Sequence, residues 1–357
     1  MEAPLVSVLI PVFNTEPYLH ECLDSVLGQT LSEIEVVCVD DGSMDGSLAI
    51  LRAYEKRDPR VRVIAFGENR GLGPARNAGL DAARGRFVCF VDSDDRLRRD
   101  VLEKLCGEAE ASGSDVVLCW GGAFPAVKDD PGCCRRAADM TRWLCSMGPV
   151  RGKRLDLAEI GRGEMPCSAC AKLYLRDFLE RNALRFIDRK AAHEDEGFRV
   201  KLIACRPIVS CIPEAGYQYR IRNDSIMGSR RFAQRRGNLL LVFEDAIAFA
   251  RRRLSPAEMQ EAAPEINRTM QRMAVPFVVA PQGVVLSRRA FARIKYGFLA
   301  CVYRGHPRRR CQRKVKEAGE VPGLSVFAPC CFGAGRARTL RFRDRLLLLA
   351  GIRILGL

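Results

Sequence analysis

Short apolar runs alternate with amphipathic stretches through the first third of the chain. The apolar runs have the length of buried strands and lie at 6–10, 34–39, 61–66, 87–91 and 115–119. Between them, apolar residues recur at the three- and four-residue spacing of helices, at about 15–27, 46–57, 71–83 and 100–112. This alternation predicts an α/β domain whose open, mostly parallel sheet has right-handed crossovers and flanking helices.

The pattern weakens beyond the fifth predicted strand and then returns. Residues 120–165 carry clusters of Gly, Pro and Cys, which indicate a variable excursion over the sheet. Order resumes at 167–219, where acidic residues from Glu194 open a predicted helix. Residues 232–273 have the spacing of two amphipathic helices separated near Ser255. We therefore expect a helical C-terminal region after the sheet.

Composition bounds the class of protein. The 357 residues are 48% hydrophobic and 28% charged, which is typical of a globular chain with a substantial core. No run approaches the roughly 18 apolar residues of a membrane span, and the N-terminus has no secretory-signal pattern. The sixteen cysteines are expected to be free thiols, because most lie in apolar patterns and Cys167–Cys170 is a lone CxxC. We expect a cytoplasmic protein.

The net charge of +15 is distributed unevenly. Residues 1–95 hold 9 basic and 16 acidic side chains, whereas residues 304–357 hold 13 basic and 3 acidic. In this tail, arginines precede an apolar segment at 346–355, as suits peripheral contact with an anionic membrane on its inner face. A helix packed on the protein's own core is the alternative. Nucleic acid is not an expected partner, because aromatic residues do not interleave with the basic ones.

Three carboxylates follow the apolar run that ends at Val91, namely those of Asp92, Asp94 and Asp95. Open α/β sheets bind ligands at the carboxyl ends of their strands. Like charges this close are costly unless a cation lies between them, and a divalent cation with oxygen ligands fits. Taken alone, the cluster equally fits a solvated turn before the next helix.

The acidic cluster is the last of four motifs that follow one another along the chain. They lie at 6–14, 39–47, 69–79 and 92–95. Together they resemble the family 2 glycosyltransferases with the GT-A fold. The resemblance is dense over residues 5–95 and thinner to about residue 228. It implies a GT-A glycosyltransferase domain at 1–228, with a nucleotide-binding half at 1–119 and an acceptor-side half at 120–228. A helical extension at 229–303 and the basic tail at 304–357 would follow.

The resemblance implies a pocket for the donor nucleotide. Pro11, Val12 and Phe13 would form its wall, and Asp41 would contact the base. Arg76, on a helix with a Gly-rich start, would bind a uracil or a phosphate through its planar guanidinium. An ion pair between Arg76 and a strand-end aspartate is the alternative.

The resemblance also implies a metal and diphosphate site. Asp94 would contact Mg²⁺ or Mn²⁺ directly, Asp92 would serve both metal and ribose, and Ser93 would lie at the nucleotide between them. The ion would bridge the diphosphate and neutralise the leaving group. Arg220 or Arg222 could close over the diphosphate, with a plain surface loop as the alternative. Asp95 would be structural, and Lys172 fits the family pattern without an assigned role.

Sugar transfer also needs a base for the acceptor hydroxyl. In the family an acidic motif at a helix start, about 100 residues after the DxD element, supplies it. Here Glu194–Asp195 matches, so Asp195 would be the base, with Glu194 or Glu196 as substitutes. The alternative is that these acids only stabilise the helix N-terminus. In-line attack would invert the anomeric carbon.

The expected protein is therefore an inverting, metal-dependent glycosyltransferase of the hexosyltransferase type (EC 2.4). It would move a sugar from a nucleotide-diphosphate sugar, a UDP-sugar above all, to a glycan or lipid-linked acceptor in cell-surface polysaccharide or lipopolysaccharide assembly. Two alternatives stay open. One is a catalytically inactive, membrane-associated GT-A scaffold. The other is a sugar nucleotidyltransferase, which needs a Gly-rich phosphate motif that residues 11–14 do not provide.

Overall fold

The computed structural model describes residues 3–127, 130–222 and 239–272. Within these ranges, nine strands form one sheet. In chain order they are β1 (Val6–Val12), β2 (Ile34–Asp40), β3 (Val61–Ala65), β4 (Phe87–Phe90), β5 (Arg96–Leu97), β6 (Val116–Pro125), β7 (Val150–Arg154), β8 (Lys172–Leu175) and β9 (Ile208–Ile221). The helices are α1 (Glu16–Leu27), α2 (Ser47–Arg57), α3 (Leu72–Ala82), α4 (Val101–Ser112), α5 (Pro131–Leu144), α6 (Glu159–Arg162), α7 (Arg176–Arg181), α8 (Glu194–Ala204), α9 (Leu239–Arg253) and α10 (Pro256–Arg272).

The strands follow the order β3-β2-β1-β4-β8-β6-β9-β5, and β7 pairs with β9. The first four are parallel, with Val8 of β1 opposite Val36 on one side and Cys89 on the other. Strands β1 and β2 are buried along their full length, which explains their continuous apolar runs. The prediction of an open, mostly parallel α/β sheet is confirmed.

Strand β8 interrupts the parallel order that the alternation of elements suggests. It lies between β4 and β6 and runs antiparallel to both, with Leu173 opposite Cys89 and Val117. Strand β6 is therefore two positions from β4, although the two are nearly consecutive in sequence. The short strand β5 pairs antiparallel with the end of β9. This pairing brings β9 next to the acidic turn at residues 92–95.

Residues 120–165, in which we expected a variable excursion with little pattern, contain regular elements, namely the end of β6, α5, β7 and α6. Strand β6 continues to Pro125 alongside β9, and α5 follows it. Asp130 caps α5 by accepting hydrogen bonds from the backbone N–H groups of Gly132 and Cys133. The helix then packs Cys133 and Ala137 against Ile221 of β9. An Asp-Pro pair is the sequence signal for this helix start.

The two helices expected after residue 232 are present as α9 and α10, separated at Leu254 and Ser255. The chain forms two compact units that divide between Arg253 and Leu254. Helix α9 belongs to the first unit and packs on α8, where Gly197 faces Val242.

The basic tail at 304–357 lies outside the described residues. Within the described ranges, no helix has the length and hydropathy to span a membrane, and the cysteines are free thiols.

Candidate active site

Asp41 lies at the carboxyl end of β2 and holds the loop that leads into α3. Its carboxylate accepts hydrogen bonds from the backbone N–H groups of Arg70 at 2.7 Å and Gly71 at 2.9 Å, and from the Asn69 amide at 2.9 Å. Burial raises the pKa of Asp41, and the two backbone bonds oppose that rise. Gly71 has a φ of 104°, which permits this tight approach. Asp41 thus fixes residues 69–71, directly before the first residue of α3.

The predicted nucleotide wall is only partly accessible. Pro11 and Val12 are buried within β1, whereas Phe13, just beyond the strand, exposes 40% of its surface. Nearby, buried oxygens of Asp40 (Oδ1) and Asn69 (Oδ1) accept no hydrogen bond within the described ranges. Unpaired buried acceptors are costly unless a ligand or water supplies a donor. Phe13 therefore supplies the exposed part of the predicted wall.

Arg76 of α3 is the centre of the acidic site. Its Nη2 donates to Asp92 at 2.9 Å, and its Nη1 donates to Glu194 at 3.0 Å and to Asp195. The side chain is 1% exposed, and its guanidinium lies over the Phe186 ring, 5.2 Å from the centroid. Although burial lowers the pKa of Arg76, the three carboxylates hold it well above its usual value. One cation thus joins the strand-end acid to the acids of α8.

The loop before α8 is tied to α3 by a reciprocal pair of hydrogen bonds. Asn77 donates to the Phe186 carbonyl at 3.1 Å and accepts from the Phe186 N–H at 2.9 Å. A Cβ on Gly73 would lie 2.6 Å from the Ile187 carbonyl oxygen, so only glycine permits this approach. Gly73 and Asn77 therefore hold residues 186 and 187, in the loop before α8, against α3.

Burial raises the pKa values of two carboxyl groups at the start of α8. It raises the pKa of Glu194 to about 7, and the neighbouring charge of Asp195 adds to this rise. Burial also raises the pKa of Asp195, against the effect of Arg76. Glu196 pairs with Arg199 and does not reach Arg76 among the described contacts. Glu194 and Asp195 therefore share one buried cation, and Glu196 lies apart from them.

The DxD element forms a turn that is closed by a hydrogen bond from the Asp95 N–H to the Asp92 carbonyl at 3.0 Å. Asp94 accepts a hydrogen bond from Arg222 Nε at 2.7 Å. The hydroxyl of Ser93 is buried and accepts from Thr15 at 2.9 Å. Both Asp92 and Asp94 thus contact an arginine, and Ser93 fastens the turn to the start of α1.

The hydroxyl group of Tyr217, on β9, holds this turn in place. The sequence did not predict this contact. The hydroxyl accepts from the Asp92 N–H at 3.2 Å and donates to Asp95 at 2.6 Å. Asp95 also accepts from the Arg220 N–H at 2.7 Å, and Arg220 Nε donates to the Asp94 carbonyl at 2.7 Å. Burial, followed by the charges of Asp94 and Asp92, raises the pKa of Asp95 well above its usual value. These contacts give Asp95 a structural position.

The site has two carboxylates that could bind a metal ion. Asp92 and Asp94 are the acidic side chains of the DxD element that keep partial exposure, at 28% and 18%. In the described part of the chain, no group of three or more His, Cys, Asp or Glu side chains could hold a metal ion. An ion here would take its remaining ligands from a substrate and from water.

Residues 7–182 match the family model described as Glycosyl transferase family 2. Residues 7–182 thus form a family 2 glycosyltransferase domain, and the sheet has the GT-A fold. Asp92 and Asp94 fall inside the match, whereas Glu194 and Asp195 follow it.

Bacterial relatives align with part of the chain. The putative glycosyltransferase EpsH of Bacillus subtilis is 35% identical over 229 residues, which are 64% of each chain. The succinoglycan biosynthesis protein ExoO of Rhizobium meliloti is 33% identical over 232 residues, or 63% of each chain. The chain thus spans somewhat less than two thirds of the length of these relatives. S. aureus TarS in complex with UDP-GlcNAc is similar in structure, with a TM-score of 0.54 at 25% identity over 74% of this chain and 72% of that one.

Proposed function

We propose that the chain is an inverting glycosyltransferase that moves a sugar from a nucleotide-diphosphate sugar to a hydroxyl acceptor. The observation that carries this proposal is Arg76, which joins Asp92 of the DxD element to Glu194 and Asp195 of α8. Through this one cation, the predicted donor site and the predicted base lie in a single buried cluster. The family membership of residues 7–182 supports the same reaction.

In this mechanism Asp195 takes the proton of the acceptor hydroxyl as that oxygen attacks the anomeric carbon. The bond from the acceptor oxygen to this carbon forms while the bond to the diphosphate oxygen breaks, and the nucleoside diphosphate leaves. Attack on the face opposite the leaving group inverts the configuration. Because burial raises the pKa of Asp195, its carboxylate is a stronger base than an exposed aspartate, and the charge of Arg76 opposes this rise.

Asp92 and Asp94 fit Mg²⁺ or Mn²⁺ as ligands. These ions accept one or two protein carboxylates and fill their other positions with phosphate oxygens and water. Burial raises the pKa of Asp94, and the charge of Asp92 adds to this rise, so a cation would relieve an existing cost. When bound, such an ion neutralises charge on the departing diphosphate. Arg222, now at Asp94, can offer its guanidinium to a phosphate.

The donor is proposed to be a UDP-sugar. The TarS complex with UDP-GlcNAc supports this class of donor. The exposed face of Phe13 offers a surface on which a base can stack. Asp41 would then act on the nucleotide mainly through the loop that it holds.

The acceptor is proposed to be a glycan or lipid-linked hydroxyl in surface polysaccharide assembly. The succinoglycan biosynthesis protein that the chain resembles supports this class. We also propose that the protein acts at the inner face of the cytoplasmic membrane, with the basic tail at 304–357 as its contact. The support for this contact is the tail's sequence.

A donor panel tests the reaction. Purified full-length protein is incubated with UDP- and GDP-sugars, with Mn²⁺ or with EDTA, and release of the nucleoside diphosphate is measured. The proposal expects UDP release from at least one UDP-sugar, lost in EDTA and restored by excess Mn²⁺. If no donor gives release above the protein-free rate, the chain is better described as an inactive GT-A scaffold. Release of pyrophosphate instead would favour a nucleotidyltransferase.

A further inference from the structure

Arg220, near the end of β9, is a fixed part of the acidic turn. Its Nε donates to the Asp94 carbonyl oxygen at 2.7 Å, and its backbone N–H donates to the Asp95 carboxylate at 2.7 Å. The guanidinium also pairs with Glu21 of α1 and lies over the Phe124 ring, 4.6 Å from the centroid. Arg220 thus holds Asp94 by its backbone carbonyl.

Arg222, two residues further along the chain, contacts the acidic turn in a different way. Its Nε donates to Oδ2 of the Asp94 carboxylate at 2.7 Å, and its guanidinium lies 5.2 Å from the centroid of the Tyr18 ring on α1. Water reaches both members of the pair, since the side chain of Arg222 is 15% exposed and that of Asp94 is 18% exposed. Breaking an ion pair that water reaches costs less than breaking a buried one. Arg222 and Asp94 can therefore exchange partners.

The carboxylates that the metal ion would use are both paired with arginines. Asp94 accepts from Arg222, and Asp92 accepts from Nη2 of Arg76 at 2.9 Å. A divalent cation at these carboxylates would stand beside the two guanidinium groups, and like charges repel strongly at such short range. Arg76 is 1% exposed and contacts three carboxylates, so Arg222 is the arginine of this pair that can leave.

A diphosphate would give Arg222 another partner. A guanidinium binds phosphate oxygens through two parallel hydrogen bonds, and such charge-assisted bonds are stronger than neutral ones. A donor whose phosphate oxygens bind an ion held by Asp92 and Asp94 brings negative charge within reach of Arg222. The guanidinium can then leave Asp94 for the phosphate, and the carboxylate takes the metal ion in its place.

We propose that Arg222 is an exchangeable counter-ion, which pairs with Asp94 in the free protein and passes to the donor diphosphate when nucleotide and metal ion bind together. Arg222 thereby weakens the binding of Mn²⁺ alone and strengthens the binding of nucleotide with Mn²⁺. The inference deepens the proposed function and rests on it, since it takes Asp92 and Asp94 as the metal ligands. By thermodynamic linkage, nucleotide and ion strengthen each other's binding by the same factor.

The experiment measures binding without turnover, with UDP as the nucleotide. Arg222→Gln removes the charge, whereas Arg222→Lys keeps it on a side chain that cannot form the bidentate contact. Arg98→Gln is the matched control, because it removes one charge from a partly exposed arginine that pairs with Asp100 and Glu214. Electron paramagnetic resonance gives the Kd of Mn²⁺ without nucleotide and with saturating UDP. Calorimetry gives the Kd of UDP at saturating Mn²⁺.

We expect Arg222→Gln to bind Mn²⁺ alone about three- to fivefold more tightly than the wild type, because the competing charge is gone. The same variant should bind UDP about tenfold or more weakly at saturating Mn²⁺, because its charge-assisted bonds to phosphate are lost. Arg222→Lys should bind Mn²⁺ alone like the wild type and should bind UDP with intermediate affinity. Arg98→Gln should match the wild type in every measurement.

Two changes of opposite sign at one position distinguish the exchange from a defect in folding. If Arg222→Gln binds Mn²⁺ alone no more tightly than the wild type, Arg222 does not compete with the ion and the inference is wrong. Unchanged UDP affinity in that variant, or an equal gain in Mn²⁺ affinity in Arg98→Gln, would contradict it as well. If Arg222→Gln does not fold, Arg222→Lys decides the question, and wild-type UDP affinity in that variant overturns the inference.

The donor panel separates this inference from the proposed reaction. A wild type in which UDP strengthens Mn²⁺ binding, but which releases no UDP from any donor, contradicts the transfer reaction alone. Normal UDP release together with unchanged Mn²⁺ binding in Arg222→Gln contradicts the counter-ion alone. A wild type that binds no Mn²⁺ even with saturating UDP contradicts both the metal site and the inference.

Discussion

At the scale of single residues, one buried guanidinium contacts three carboxylates. Arg76 contacts Asp92, Glu194 and Asp195, and its side chain is nearly inaccessible to water. Removing one partner of a buried ion pair leaves an uncompensated charge, which costs about 3–5 kcal/mol. The site lowers this cost by keeping a proton available to Glu194, whose pKa is about 7. The cluster can therefore change its charge near neutral pH.

Glu194 should make stability depend on pH. Its pKa is raised from 4.5 to about 7, so the folded state holds a proton that the unfolded state releases above pH 4.5. The stabilisation is complete below pH 4.5 and is lost as pH rises to about 7, by on the order of 3 kcal/mol. We expect Glu194→Gln to abolish this part of the decline in the free energy of unfolding.

Urea unfolding of wild type and Glu194→Gln at pH 5 and pH 8 checks this prediction. Other buried acids, such as Asp94 and Asp95, titrate in both proteins, so the difference between the two slopes isolates Glu194. Equal pH dependence in the two proteins would show that Glu194 is not the titrating group.

At the scale of elements, α9 is the support for the helix that carries the proposed base. A Cβ on Gly197 of α8 would lie 2.5 Å from the nearest methyl carbon of Val242 on α9. Lys201 of α8 also pairs with Asp245 of α9. The close contact at Gly197 lets the two helices pack with little space between them. The orientation of α8 therefore depends on α9 as well as on the sheet.

Gly197→Ala should destabilise the first compact unit by about 1–3 kcal/mol, because the added methyl group forces α8 and α9 apart. Adding Val242→Ala should recover much of this loss. Gly107→Ala on α4 is the control, since its Cβ would meet no atom within 4 Å. A helix-interior glycine weakens a helix, so this control should gain roughly 0.5–1 kcal/mol. The free energy of urea unfolding measures all three variants, and a harmless Gly197→Ala would refute the contact.

The elements also show what the sequence could and could not predict. Strand β1 and helix α1 follow from a continuous apolar run and from a helical spacing after Thr15 and Pro17, both of which are local signals. The insertion of β8 between β4 and β6 is set by pairing over long sequence distances, which no local pattern encodes. Helix α5 was missed because few of its residues are buried, namely Cys133, Ala137 and Leu144, and its start signal is short.

The same distinction applies to the candidate site. The acids of the DxD element and of α8 could be named from motifs, but their joint contact with Arg76 required the fold. Tyr217 was not predicted as a support for the acidic turn, because a tyrosine in a strand usually indicates packing. Lys172 was noticed without a role, since its partners are backbone carbonyls, which have no sequence signature.

At the scale of the whole molecule, the proposed site joins parts of the chain that lie far apart in sequence. The acidic turn follows β4, the arginine comes from α3 and the proposed base begins α8. The family match ends at residue 182, before the base, so the cluster extends the matched domain. The central claim is that these parts form one catalytic unit, in which Asp195 activates the acceptor.

The measurement that tests this claim most directly is UDP release by Asp195→Asn, beside wild type and the exposed control Asp177→Asn on α7. The donor is the UDP-sugar that the wild type uses, with Mn²⁺ present and UDP affinity measured separately. We predict that Asp195→Asn loses about 100-fold or more of the release rate and binds UDP like the wild type, while Asp177→Asn matches the wild type in both. Release at the wild-type rate by a folded Asp195→Asn protein would contradict the account.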